Sequence, residues 1–101
     1  MKIVFRPQVV DDISEMFDYI EKDLKNPAAA NRLKEKLLSG ISLLKEDPLL
    51  GMCVSEKYPK ITTELRFLVT GNFFVFYIPT AEAVEIVRVL DGRTDYMSRL
   101  F

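Results

Sequence analysis

Between Gln8 and Lys25, apolar residues fall at Val10, Ile13, Phe17, Ile20 and Leu24. Steps of three and four place them on one face of a helix. Asp11, Asp12 and Glu15 stand in its first turns, where carboxylates complement the helix dipole. Asn26-Pro27 breaks the pattern, and a second stripe at Leu33, Leu37, Ile41 and Leu44 predicts a helix over about residues 28–45. So short a break predicts an antiparallel helical hairpin. Leu38 and Leu43 lie off the second stripe; they either widen the core face or line a groove for a partner helix.

Lys2 to Arg6 reads as a short strand closed by Pro7. Glu46-Asp47-Pro48 ends the second helix, and residues 48–60, punctuated by Pro48, Gly51 and Pro59, read as an irregular loop. Three strands are predicted after it, over Thr63–Thr70, Phe73–Ile78 and Val84–Leu90. Gly71-Asn72 supplies turn chemistry between the first two. The middle strand is apolar at nearly every position, so it is expected to be central and covered on both faces. Asp91-Gly92 ends the last strand, and Asp95–Phe101 is expected to form a short terminal helix. The class is α+β, one domain over residues 1–101. An N-terminal strand precedes an antiparallel helical hairpin packed on a mainly antiparallel four-stranded sheet, with a short C-terminal helix.

If the turns keep simple pairing, positions 66, 76 and 86 lie side by side, and alternation then sorts the strands into two faces. Arg66, Leu68, Phe74, Phe76, Ile78, Val84, Ile86, Arg88 and Leu90 share one, an aromatic half-open surface with two arginines. Leu65, Phe67, Val69, Phe73, Val75, Tyr77, Val87 and Val89 share the other, expected to take the helices. A one-residue slip would move an arginine across the sheet.

Composition narrows the chemistry. Fourteen basic residues face fifteen acidic ones, so the strong basic excess of a dedicated nucleic-acid binder is lacking. The chain has no histidine and one cysteine, Cys53, which removes the commonest general base, any internal disulfide and the usual zinc ligands. Cys53 has no histidine to activate it as a nucleophile. The acidic set Asp11, Asp12, Glu15 and Asp18 has helical spacing but nothing to complete a metal site, and is read as a solvated helix face. No phosphate-binding glycine loop occurs, and no metal or other cofactor is expected. The opening residues are too soon interrupted for a signal peptide, and no apolar run reaches the roughly 18 residues of a membrane span. A soluble, cytoplasmic protein is expected.

Two arginines on an aromatic face suit phosphate, carboxylate or base stacking, or each caps a nearby acid among Glu64, Glu85 and Asp91. For Arg88, set in an apolar strand, a specific partner is expected, a structural salt bridge included. Arg93 and Tyr96 follow the last strand in a loop, where functional groups collect, although Tyr96 serves equally well as a lid on the core.

The ordered set Phe5-Arg6-Pro7, Leu44 through Pro48 to Gly51, Arg66, Phe74-Val75-Phe76-Tyr77 and Ile86 through Arg93 to Tyr96 resembles the RelE/ParE superfamily of bacterial toxins over essentially the whole chain. The resemblance implies the toxin of a type II toxin–antitoxin module, a plasmid-stabilisation family, silenced by a cognate antitoxin whose C-terminal segment wraps it in a hetero-oligomer. Antitoxin contacts are then expected at Leu38, Leu43, Phe74 and Phe76.

The superfamily divides by target. Its ribosome-dependent mRNA endonucleases use basic residues and a tyrosine, or histidine and glutamate, for acid–base work and phosphate stabilisation. On that branch Arg66, Arg88, Arg93 and Tyr96 would be catalytic. Arg93 and Tyr96 match that pattern; Phe74 replaces its central-strand arginine, and Thr63-Glu64-Leu65 stands where lysines cluster. The ParE-like branch inhibits DNA gyrase by binding and needs no catalytic set. Near-neutral charge, absent histidine and the apolar central strand resemble that branch more, with Arg88, Arg93 and Tyr96 as target contacts. A toxin homologue that only binds its antitoxin is the third reading.

Overall fold

In the computed structural model residues 1–100 are described, Leu24 for its backbone only. The places expected for the Leu24 side chain on the first stripe and for Phe101 in the terminal helix lie outside the described residues. The chain runs β1 (Lys2–Phe5), α1 (Pro7–Leu24), α2 (Pro27–Leu43), β2 (Met52–Cys53), α3 (Val54–Lys57), β3 (Arg66–Thr70), β4 (Phe73–Pro79), β5 (Ala83–Asp91) and α4 (Tyr96–Leu100). Prolines open both long helices, where the missing N–H costs nothing. Asn26 caps α2 by accepting from the backbone N–H groups of Ala28 and Ala29.

The sheet has order β1-β5-β4-β3-β2. Among the described residues only the β1–β5 pair is parallel; the others are antiparallel. It holds five strands rather than four, because Met52–Cys53, inside the segment read as irregular loop, pairs with Arg66 and Phe67. Two residues are too short to leave a hydrophobic period. β4 is the middle strand, and its Val75, Phe76 and Tyr77 are wholly buried, as its apolar run requires.

The expected register is off by one residue, with the consequence foreseen. Gly71 has φ of 63°, and Lys25 is the only non-glycine with positive φ among the described residues. Gly71-Asn72 is therefore a two-residue turn of the II′ type, matched to strand twist. It sets Thr70 opposite Phe73 and Arg66 opposite Tyr77, not Phe76. A second irregularity lies in β5. Phe76 faces Arg88 while Tyr77 faces Ile86, leaving Val87 as a bulge.

The faces are corrected accordingly. Leu68, Phe73, Val75, Tyr77, Val84, Ile86 and Val89 pack with the two long helices. Leu65, Phe67, Phe74, Phe76, Ile78, Val87 and Leu90 form the outer core with Val54, Tyr58 and Tyr96. The outer aromatic face is not half-open, because α3, α4 and the Tyr58 segment close it. Arg66 and Arg88 do not share a surface: Arg66 pairs beside Tyr77 and Arg88 beside Phe76, on opposite sides of β4.

One helical stripe shifts too. Val9, not Val10, is the buried residue in the first turn of α1, and Val10 is exposed. The inward face of α1 is rotated toward β5 and carries Asp12 between Val9 and Ile13. On α2 the stripe stands as read, extended by Ala30. Gly40 lies against Thr70, where an added Cβ would come within 3.1 Å of the hydroxyl, so helix and strand approach closely.

Candidate functional site

β1 accompanies β5 only as far as Ile86. Beyond that point the outer edge of β5 has no strand neighbour among the described residues, and α1 supplies the missing acceptor. Asp12 is 4% exposed; its Oδ2 accepts the Val89 backbone N–H at 3.1 Å. The same carboxylate takes Arg88 in a two-pronged grip, Nε to Oδ2 and Nη2 to Oδ1, both 2.8 Å. Such a fork-to-fork pair is the strong form of a charge-assisted bond. Arg88 Nη1 donates to the Arg99 carbonyl at 2.9 Å, tying α4 into the same knot. The bond to Asp12 raises the Arg88 pKa despite partial burial. The expected solvated acidic face is thus corrected at one position: Asp12 is buried and spent, while Asp11, Glu15 and Asp18 are exposed. Periodicity reads an acid beside a stripe as solvated because its partner lies 76 residues away.

Past this knot, Asp91 and Arg93 form a local pair at the end of β5, Nη2 to Oδ2 at 2.8 Å and Nε to Oδ1 at 3.1 Å. The Arg93 guanidinium, followed by its backbone N–H, holds the Asp91 carboxyl below its ordinary value. The Arg93 side chain remains 68% exposed, so most of its donors face water. It stands on the rim of an open cleft of about 610 Å³, floored by Met16, Val89 and Leu90 and rimmed by Tyr19, Asp91 and Arg99. Gly92 lets the chain turn here, because a Cβ would lie 2.6 Å from the Phe74 ring.

Arg66 is engaged elsewhere. Its Nε donates to the Gly51 carbonyl at 3.0 Å, Nη2 to the Leu49 carbonyl at 3.1 Å and Nη1 to Cys53 Sγ at 2.9 Å. Gly51 in turn donates its N–H to the buried Tyr77 hydroxyl at 2.8 Å. These bonds staple residues 49–53 to the sheet. Tyr96 is buried on the outer face, its hydroxyl bonded to that of Tyr58. This bond, with burial, raises the Tyr58 pKa.

The residues expected to meet an antitoxin divide between two places. Leu38 and Leu43 are 45% and 56% exposed on α2. Leu38 lines a second open groove of about 610 Å³ with Met1, Ile3, Phe5 and Ile41, flanked by Lys2 and Lys45; Leu43 lies outside that lining. Phe76 is 1% exposed, and Phe74 lies half-buried beneath Gly92 and Tyr96.

The family model described as "ParE toxin of type II toxin-antitoxin system, parDE" matches residues 3–96. The chain belongs to the ParE toxin family. A solved structure titled "Chromosomal ParDE TA system from P. aeruginosa" superposes on this ParE-family chain with a TM-score of 0.73 at 14% identity. The match covers 90% of this chain and 95% of that one, and it shows the shared fold. A search of the curated proteins finds no match.

Of the residues singled out in the sequence, Arg88, Arg93 and Tyr96 come to one end of this ParE-family fold, but in three environments: an internal ion pair, an open rim and a buried phenol pair. Arg66 is a loop staple on the opposite face. Sequence reasoning missed Asp12 as the partner of Arg88 and Tyr58 as the partner of Tyr96. It also missed Tyr19 and Met16 as cleft residues. Tyr19, 67% exposed in a helix otherwise polar at that face, was the one detectable signal.

Proposed function

We propose that this ParE-family chain arrests growth by binding DNA gyrase, with no chemistry of its own, and is silenced in the cytoplasm by a cognate antitoxin. The observation that carries this reading is the employment of the four candidate catalytic groups. Arg66 and Arg88 each use three hydrogen bonds to hold the fold, and Tyr96 is buried. Arg93 alone presents its cation to solvent. An acid–base mechanism needs several such groups converging on one reacting phosphate; a binding mechanism needs an exposed anchor beside apolar surface. The Arg93 cleft, with Tyr19 across from it, supplies the latter. The exposed edge of β1 and the Leu38 groove, flanked by Lys2 and Lys45, suit an acidic amphipathic segment of an antitoxin.

The test is a supercoiling assay with gyrase and antitoxin-free protein. Inhibition by the native chain, lost in Arg93→Glu at an unchanged melting temperature, is the expected result. Growth arrest without gyrase inhibition, accompanied by cut mRNA on ribosomes, would refute the reading and assign the toxin to translation.

A further inference from the structure

One side chain of the outer face has no role in the sites above. Lys57, at the end of the one-turn helix α3, places its ammonium over four rings at once. Its Nζ lies 5.0 Å from the Phe74 centroid, 5.4 Å from Phe67, and 5.7 Å from both Tyr58 and Tyr96. The rings come from four different stretches of chain and support one another. Phe74 meets Tyr96 edge-on at 4.9 Å and lies tilted against Phe67 at 5.5 Å, while the Tyr58 and Tyr96 hydroxyls are bonded together. Ring faces carry negative potential, so several converging on one point form a site for a cation.

We propose that Tyr58, Phe67, Phe74 and Tyr96 form a cation-recognition box that Lys57 fills in the free chain and that the arginine side chain of a protein partner takes in a complex. Lys57 is a replaceable occupant. It forms no ion pair among the described residues, its residue is solvent-exposed, and it is held only through a flexible stem on a helix of four residues. With Lys57 in place no space for another molecule remains. A guanidinium is planar, less strongly hydrated than an ammonium and stacks on rings, so an incoming arginine has the advantage in this box. The displaced lysine returns to water, where an ammonium is well solvated. This inference is independent of whether the target is gyrase.

The test begins with the native chain by NMR. Ring currents should move the Lys57 ε-methylene protons clearly upfield of the other lysines; an ordinary position for them overturns the proposal. Lys57→Ala is then titrated with N-acetyl-arginine amide and with tetramethylammonium, against sodium chloride at equal ionic strength. Saturable shifts at the four rings, in the millimolar range, are expected for Lys57→Ala. The native chain should respond at least about tenfold more weakly, since its tethered lysine competes at a high effective concentration. A natively folded Lys57→Ala whose rings do not respond, or a native chain that responds equally, overturns the proposal. If Lys57→Ala fails to fold, Lys57→Arg decides. A folded protein with upfield-shifted δ-methylene protons supports a box that accepts guanidinium, and unshifted protons overturn it.

Discussion

Replacing Asp12 with alanine should be the most damaging single change to a surface-adjacent residue in this fold. The carboxylate serves two arginine N–H donors and one backbone N–H, all within 3.1 Å. Removing it leaves the Val89 N–H beside an empty position, a loss of about 1–3 kcal/mol for a buried unsatisfied group. It also leaves the Arg88 guanidinium uncompensated. Breaking a buried pair from one side costs roughly 3–5 kcal/mol, but the Arg88 side chain is 16% exposed and keeps its bond to the Arg99 carbonyl. The low end is therefore appropriate, and the two effects overlap at one carboxylate. We expect about 3 kcal/mol in all, a large share of the 5–15 kcal/mol that holds a domain of this size. At roughly 4–8 °C per kcal/mol, the melting temperature should fall by more than about 12 °C. Urea unfolding followed by circular dichroism measures this directly. The double replacement Asp12→Leu with Arg88→Met should recover much of the loss, because an apolar pair of similar volume replaces a buried ion pair at little net cost. A loss under about 1 kcal/mol for Asp12→Ala, or no recovery in the double variant, would refute the argument.

Other expectations follow from the same geometry. Gly51→Ala would place a Cβ 2.5 Å from the Phe67 carbonyl oxygen and 2.7 Å from the Tyr77 hydroxyl; we expect a loss of about 2–3 kcal/mol in denaturant unfolding, as for overpacked cores. Arg66→Ala should raise amide hydrogen exchange selectively at residues 49–53, with exchange in α1 unchanged. Arg93→Ala should leave the melting temperature unaltered and abolish growth arrest on induction; persistence of full arrest would remove Arg93 from the target surface. The Tyr58 hydroxyl, its pKa raised first by the bond to Tyr96, should contribute stability that is complete below the ordinary phenol value of about 10. That contribution is lost as pH rises through the folded value. Unfolding midpoints measured across this range should decline for the native chain and decline less for Tyr58→Phe.

How much of this was legible in the residues depends on the distance over which each decision is made. Helix and strand positions come from local periodicity, and α1, α2, β4 and β5 lie within a residue or two of where the apolar pattern places them. Register is decided by turns, and here Gly71-Asn72 carried the answer. A two-residue turn pairs Thr70 with Phe73, so the sum of paired positions is odd, whereas the simple pairing of 66 with 76 makes it even. The bulge at Val87 has no local signature. Nor does the burial of Asp12, whose carboxylate resembles its exposed neighbour Asp11 until Arg88 and the free edge of β5 arrive from the far end of the chain. Tyr58 and Lys57 sat in a stretch whose prolines announced only irregularity. The exposed place of Arg93 was legible because its pairing acid lies two residues away and it follows the strand end.

The parallel pairing of β1 with β5 has a consequence in time. β1 finds its sheet neighbour, among the described residues β5 alone, only after residues 83–86 have followed it from the ribosome. Asp12 waits as long for Arg88. The helical hairpin and the β3–β4–β5 meander form from near neighbours, but the bonds that tie β1 and Asp12 to β5 span more than seventy residues, the slow class of contact in folding. A nascent chain is therefore without its assembled Arg93 rim until β5 and Arg93 have been made. Any growth-arresting surface at that rim becomes complete only when the last strand emerges, and until then the edge of β1 stands open to whatever strand or helix is at hand.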